Sequence, residues 1–168
     1  MAAYSDSYGS VYGVGFAESD SDDPVEMVYD ILSATPSDWF TLADPEVYRM
    51  WDVDPQQRLK NPNPAVYVWS PTPGTIGRFS ADGDLLDDQR SVECLIMTYD
   101  KAETHRYTED IIRIIARFVD DNANTTVFED VDPTNVEDLR GDKIRGRSDH
   151  YINTIELETR RLRDSGRA

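Results

Sequence analysis

Residues 91–99 read SVECLIMTY and residues 103–122 read ETHRYTEDIIRIIARFVDDN. In the first stretch Val92, Cys94, Ile96 and Thr98 point to one face, and Leu95, Met97 and Tyr99 to the other. Both faces are largely apolar, which predicts a central strand. In the second, Tyr107, Ile111, Ile114, Ile115 and Phe118 recur at spacings of three and four, with Ile112 and Val119 widening the stripe. That period predicts an amphipathic helix. Asp100 is a good N-cap with Glu103 three residues on, and Asp120, Asp121 and Asn122 end the pattern. The two stretches together imply a helix lying across its own sheet.

Working outward, Asp23-Pro24-Val25-Glu26 has the form of a helix start, and Val28, Ile31 and Leu32 supply its apolar face. Thr35-Pro36 stops it. Residues 39–42 suggest a short strand, Asp44-Pro45 opens a short helix through Trp51, and residues 56–64 form a loop. Residues 65–70 alternate Val66 and Val68 against Tyr67 and Trp69. Pro71 and Pro73-Gly74 interrupt the run, residues 75–80 resume it, and Asp82-Gly83 is a turn signal. Beyond the long helix, residues 125–131 are expected as a strand and 133–147 as a loop with one helical turn at 136–139. Residues 151–159 form the last strand, with Ile155 and Leu157 inward and Glu156 and Glu158 outward. The expected class is α+β: an antiparallel sheet with a long amphipathic helix on one face and a shorter N-terminal helix. Two regions are expected, an arm at residues 1–22 rich in Tyr, Gly, Ser and Asp, and one domain at 23–168.

The chain of 168 residues carries a net charge of −16. It holds 23 Asp and 10 Glu, with 14 Arg against only 3 Lys. So acidic a chain lacks the basic face that nucleic-acid readers and anionic-membrane binders require. Its composition resembles that of proteins from salt-loving archaea, in which salt screens self-repulsion. Cys94 is the only cysteine, so no internal disulfide is expected, and its place in the central strand marks a buried small hydrophobe. The N-terminus has no signal-peptide pattern and no stretch has the length of a membrane span, so assembly inside a cell is expected.

No constellation carries chemistry. His105 and His150 are the only histidines and have no partner at metal-ligand spacing. There is no phosphate loop, dinucleotide fingerprint or nucleophile elbow. Asp82-Gly83-Asp84 with Asp87 and Asp88 offers oxygens to a hard cation but lacks EF-hand spacing, and reads as a solvated hairpin tip. Arg140-Gly141-Asp142 is a chance match to an adhesion tripeptide. No catalytic residue, cofactor or metal is expected.

Charge is unevenly spread. Residues 140–168 hold eight basic and five acidic side chains, a net of +3, and residues 1–139 therefore carry −19. A basic terminus on an acidic body suits contact between subunits. The candidate contacts are Tyr4, Tyr8, Tyr12 and Phe16 in the arm, Trp69 beside the interrupted hairpin, and Arg145, Arg147, Arg160, Arg161 and Arg163 in the basic segment.

The order of elements (N-terminal helix, long hairpin at 65–99, amphipathic helix, two late strands) resembles that of tail-terminator and tail-completion proteins of long-tailed phages and archaeal viruses. The likeness spans residues 23–160 and excludes the tyrosine-rich arm. It implies a non-enzymatic virion protein of the head–tail junction, assembled in the host cytoplasm. Such a protein forms a ring of six that ends the tail tube and joins it to the neck. Its partners are further copies of itself, the tail tube protein and neck adaptor or connector proteins, with DNA only passing through the lumen. A head–tail adaptor of the same neck and a non-viral halophilic binding module are the alternatives.

Overall fold

The computed structural model describes residues 23–58, 60–71, 74–78, 85–122, 130–140 and 150–164. Six strands form one mixed sheet, and helices complete an α+β architecture. In chain order the elements are α1 (Pro24–Ser33), β1 (Glu46–Arg49), α2 (Pro55–Arg58), β2 (Ala65–Trp69), β3 (Thr75–Arg78), β4 (Leu85–Thr98), α3 (Lys101–Asn122), β5 (Asp130–Arg140) and β6 (Tyr151–Asp164). The strand order is β1-β2-β4-β6-β5, and β3 pairs with the first part of β4.

Helix starts are set locally. Pro24 opens α1, and Asp23 Oδ1 accepts the Val25 N–H at 2.9 Å. Asp100 Oδ1 accepts from Ala102 and Glu103 at 2.7 and 3.1 Å, satisfying two N–H groups that no helical carbonyl can reach. Val25, Val28, Ile31 and Leu32 of α1 and Tyr107, Ile111, Ile114, Ile115 and Phe118 of α3 are buried in one cluster. The sheet contributes Val66, Val68, Val92, Cys94, Ile96, Ile155 and Leu157 to it. These strand residues share a face because Val66 pairs with Ile96, Val68 and Ile155 with Cys94, and Leu157 with Val92. Cys94 is buried there, and loss of water around the thiol pushes its pKa up to about 12. The opposite face buries Ala65, Tyr67, Met97 and Ile152, with Tyr48, Met50 and Val53 packed against them.

The sheet is not wholly antiparallel, because β1 runs parallel to β2. Residues 46–49, expected in a helix, extend instead. Glu46 N–H bonds Pro64 O at 2.9 Å, and the Tyr48 ring stacks on Tyr67 at 5.6 Å. A helix of so few residues would be marginal on its own, so pairing with β2 decides. Residues 39–42 are not a strand. Ser37–Trp39 is a 3-10 turn, and the buried Asp110 carboxylate accepts from the Thr41 N–H and hydroxyl, both at 2.9 Å. Tyr107 donates its hydroxyl to Ala43 O at 2.6 Å. This segment therefore finds its hydrogen bonds on α3 rather than on the sheet.

Two strands run longer than expected. β4 begins at Leu85, and β6 continues to Asp164. Residues 130–140, expected largely as loop, form β5 at the sheet edge against β6. Pro133 lies at the register irregularity between Pro133 and Asn135 on this edge strand, the kind of position where a sheet tolerates proline. The expected turn at residues 82–83 lies outside the described residues.

Candidate assembly surface

β4 and β6 pair in register from Leu85 opposite Asp164 to Thr98 opposite Tyr151. A strand of 14 residues spans about 48 Å, and the 22 residues of α3 span only about 33 Å. Val92 is the first β4 residue in the hydrophobic cluster. The ladder thus runs beyond the apolar core through residues 85–91 and 158–164.

That extension is held by charge. Asp88 is fully buried (0% exposed) and lies opposite Arg161, which is 4% exposed. The Arg161 Nε donates to Asp88 at 3.0 Å, and Arg90 Nε does the same from two residues nearer the core on β4. Burial pushes the Asp88 carboxyl up, but the bonds from Arg90 and Arg161 outweigh it and hold it below the usual range. On the other face Arg160 grips Asp87 through two bonds of 2.8 and 3.0 Å. Asp87 is likewise lowered, by Arg160 before all else.

These pairs revise the expectation for the basic terminus. Arg160 and Arg161 were placed at a contact with another protein, yet both bond carboxylates of their own chain, and Arg161 is enclosed. The cause is register: antiparallel pairing sets Asp88 opposite Arg161 and leaves Asp87, opposite Leu162, within diagonal reach of Arg160. The signal was present in sequence as two mirrored dipeptides on strands that had to be recognised as partners. Arg163 stands opposite Leu86 in the same ladder. Tyr4, Tyr8, Tyr12, Phe16, Arg145 and Arg147 lie outside the described residues.

The acidic turn shows the same outcome. Asp82 and Asp84 are outside the described residues, and Asp87 and Asp88 bond arginines. Among the described residues no group of three or more His, Cys, Asp or Glu is arranged to hold a metal ion. His105 is exposed, whereas His150 is buried, with Nε2 3.0 Å from Asn61 O and its ring 4.1 Å from that of Tyr99. Among the described residues no helix is long and apolar enough to cross a membrane.

Apolar side chains are exposed along the extension. Ile76 on β3 is 56% exposed and Leu85 at the start of β4 is 39% exposed. Trp69, the remaining candidate contact, ends β2 and is half-buried. It belongs to a cross-strand row on the face away from α3, where Trp69 pairs with Glu93 and Glu93 with Glu156. Loss of water raises the pKa of the Glu93 carboxyl above its ordinary value. The Trp69 indole beside it pulls it back, and the charges of Glu156 and Glu137 raise it again. The indole Nε1 is buried and, among the described residues, makes no hydrogen bond of ordinary geometry.

Removing the Glu93 charge is therefore expected to help the fold. Directly opposed like charges in a sheet cost about 0.2–1 kcal/mol, so Glu93→Gln should raise stability by that order at pH 7. A raised folded pKa means that protonation favours the folded state. The gain should shrink as pH falls through the folded pKa and vanish below the ordinary value of 4.5. Denaturant melts of both proteins from pH 3 to 8 check this, and a gain that persists at pH 3 would assign the effect to something other than charge.

In comparisons with known proteins, no family model and no curated protein matches the chain.

Proposed function

We propose that this protein is a structural component of a halophilic virus neck or tail: a tail terminator that forms a ring at the head end of the tail tube. The observation that carries the reading is the extended β3–β4–β6 ladder, fastened by ion pairs within the chain and bearing exposed Ile76 and Leu85. An ordered ladder that outruns its own core and presents apolar side chains at its end is a device for touching another subunit. Repeating one such head-to-tail contact about an axis closes a ring. A long amphipathic helix on one sheet face with a shorter helix beside it is the layer arrangement this reading expects.

Ending tail growth in this way needs no chemistry. One face of the ring pairs with the last layer of tube protein, and the other receives the neck adaptor. The charge of −16 supports a lumen lined with carboxylates, which repel DNA phosphates and let the duplex pass. Six subunits are expected by the resemblance to tail terminators.

The test is mass and symmetry at molar salt, by light scattering and imaging of native particles. A closed ring between tube and neck supports the proposal. Finding the chain singly, or on no particle, would defeat it. Screening of the acidic excess adds a second expectation, a melting temperature that climbs from dilute to molar salt. A melting temperature that ignores salt would remove the halophile argument.

A further inference from the structure

Among the described residues, the row formed by Trp69, Glu93 and Glu156 has no positive charge set against it. Glu93 and Glu156 are direct cross-strand partners on a sheet face that α3 does not cover. Among the described residues neither carboxylate has a cationic partner. Among the described residues the pair meets neutral groups of its own strands, the Ser91 hydroxyl at 3.1 Å from Glu156 and the Trp69 indole beside Glu93. Two carboxylates facing each other across the ladder, Glu93 drawn away from water, beside a half-buried indole favour an arriving cation twice: by charge, and through the ring face. Elsewhere the fold satisfies its sheet carboxylates internally, Asp87 with Arg160 and Asp88 with Arg161. Here it does not.

The chain also holds a complementary piece. Residues 140–147 read RGDKIRGR, with Arg140, Lys143, Arg145 and Arg147 against one acid, Asp142. They follow β5, whose last residue Arg140 pairs with Tyr151 at the Thr98 end of the ladder. We propose that the Trp69–Glu93–Glu156 row receives the segment 140–147 of a second copy of this chain. Donor and acceptor are different surfaces, so the contact is head-to-tail and repeats around a ring. The inference rests on the ring reading above and names its contact. Pairs formed on a half-buried row are screened less by salt than exposed ones, so the contact is compatible with molar salt.

The test uses the full chain with two opposite charge reversals, Glu93→Lys/Glu156→Lys and Arg145→Glu/Arg147→Glu. At the salt where the wild type assembles, each variant alone is expected to assemble about 10-fold or more weakly. An equimolar mixture should recover assembly, because each reversed acceptor then meets a reversed donor and each native acceptor a native donor. Glu93→Gln/Glu156→Gln covers the case of a reversal that fails to fold. It should raise the melting temperature and weaken assembly together, a pairing that a purely structural role would not produce. Assembly of either reversed variant at wild-type strength would overturn the contact and leave the ring reading standing. So would a mixture that fails to assemble while both variants fold. A wild-type chain that stays single on particles would overturn both.

Discussion

Asp88→Ala is expected to destabilise the protein by about 3–5 kcal/mol, the cost of breaking a buried ion pair by removing one partner. The carboxylate is fully enclosed and accepts from Arg161 and Arg90, each at 3.0 Å. Its loss strips Arg161 of this acceptor at a site where the guanidinium has almost no water. The informative comparison is Asp88→Leu/Arg161→Met, which removes both charges and keeps apolar volume. That double variant should recover most of the loss, because desolvation of the pair offsets much of its attraction. Asp87→Ala, at the more exposed pair with Arg160, should cost far less. A small effect of Asp88→Ala in urea melts would mean that the end of the ladder opens independently of the core. The pH dependence follows from the lowered pKa. This contribution is present above the ordinary carboxyl value of 3.8 and is lost as pH falls below it through the folded value.

Ile115→Ala is expected to cost about 2–5 kcal/mol. Ile115 is fully buried in the middle of the α3 stripe, among Ile111, Ile114 and Phe118, against the Val92–Cys94–Ile96 face of β4. Replacement leaves a cavity that rigid strands on one side and α1 on the other fill poorly. Arg106→Ala, at an exposed position of the same helix, is the control for helix propensity and should stay within about 0.5 kcal/mol. A cost near zero at Ile115 would show that the stripe does not face the sheet.

The readings that matched the structure and those that did not divide by range. Residues 107, 111, 114, 115 and 118 could be assigned to one face from their spacing alone, because a helix repeats every 3.6 residues wherever it packs. Asp23 and Asp100 could be named as caps because a capping bond spans two or three residues. In contrast, residues 46–49 have too little local preference to resist their neighbours, and parallel pairing with β2 makes them a strand. Residues 130–140 contain Pro133 and several acids, which locally favour a loop. They extend because β6 supplies a partner and the proline falls at an irregularity on an edge.

The same division governs the surface. By itself the sequence determined the acidic excess, the basic terminus, the buried character of Cys94, and the apolar faces of the central strand and the long helix. These depend on composition or on neighbours a few positions away. Only the tertiary structure decided which charges remain available. Asp88 and Arg161 are 73 positions apart, and nothing local to either reveals that register sets them face to face inside the protein. Glu93 and Glu156 are brought together by the same register, but with like sign. One antiparallel ladder therefore pairs Arg160 and Arg161, two of the arginines that the sequence offered for a partner, and leaves a pair of carboxylates that it gave no reason to notice.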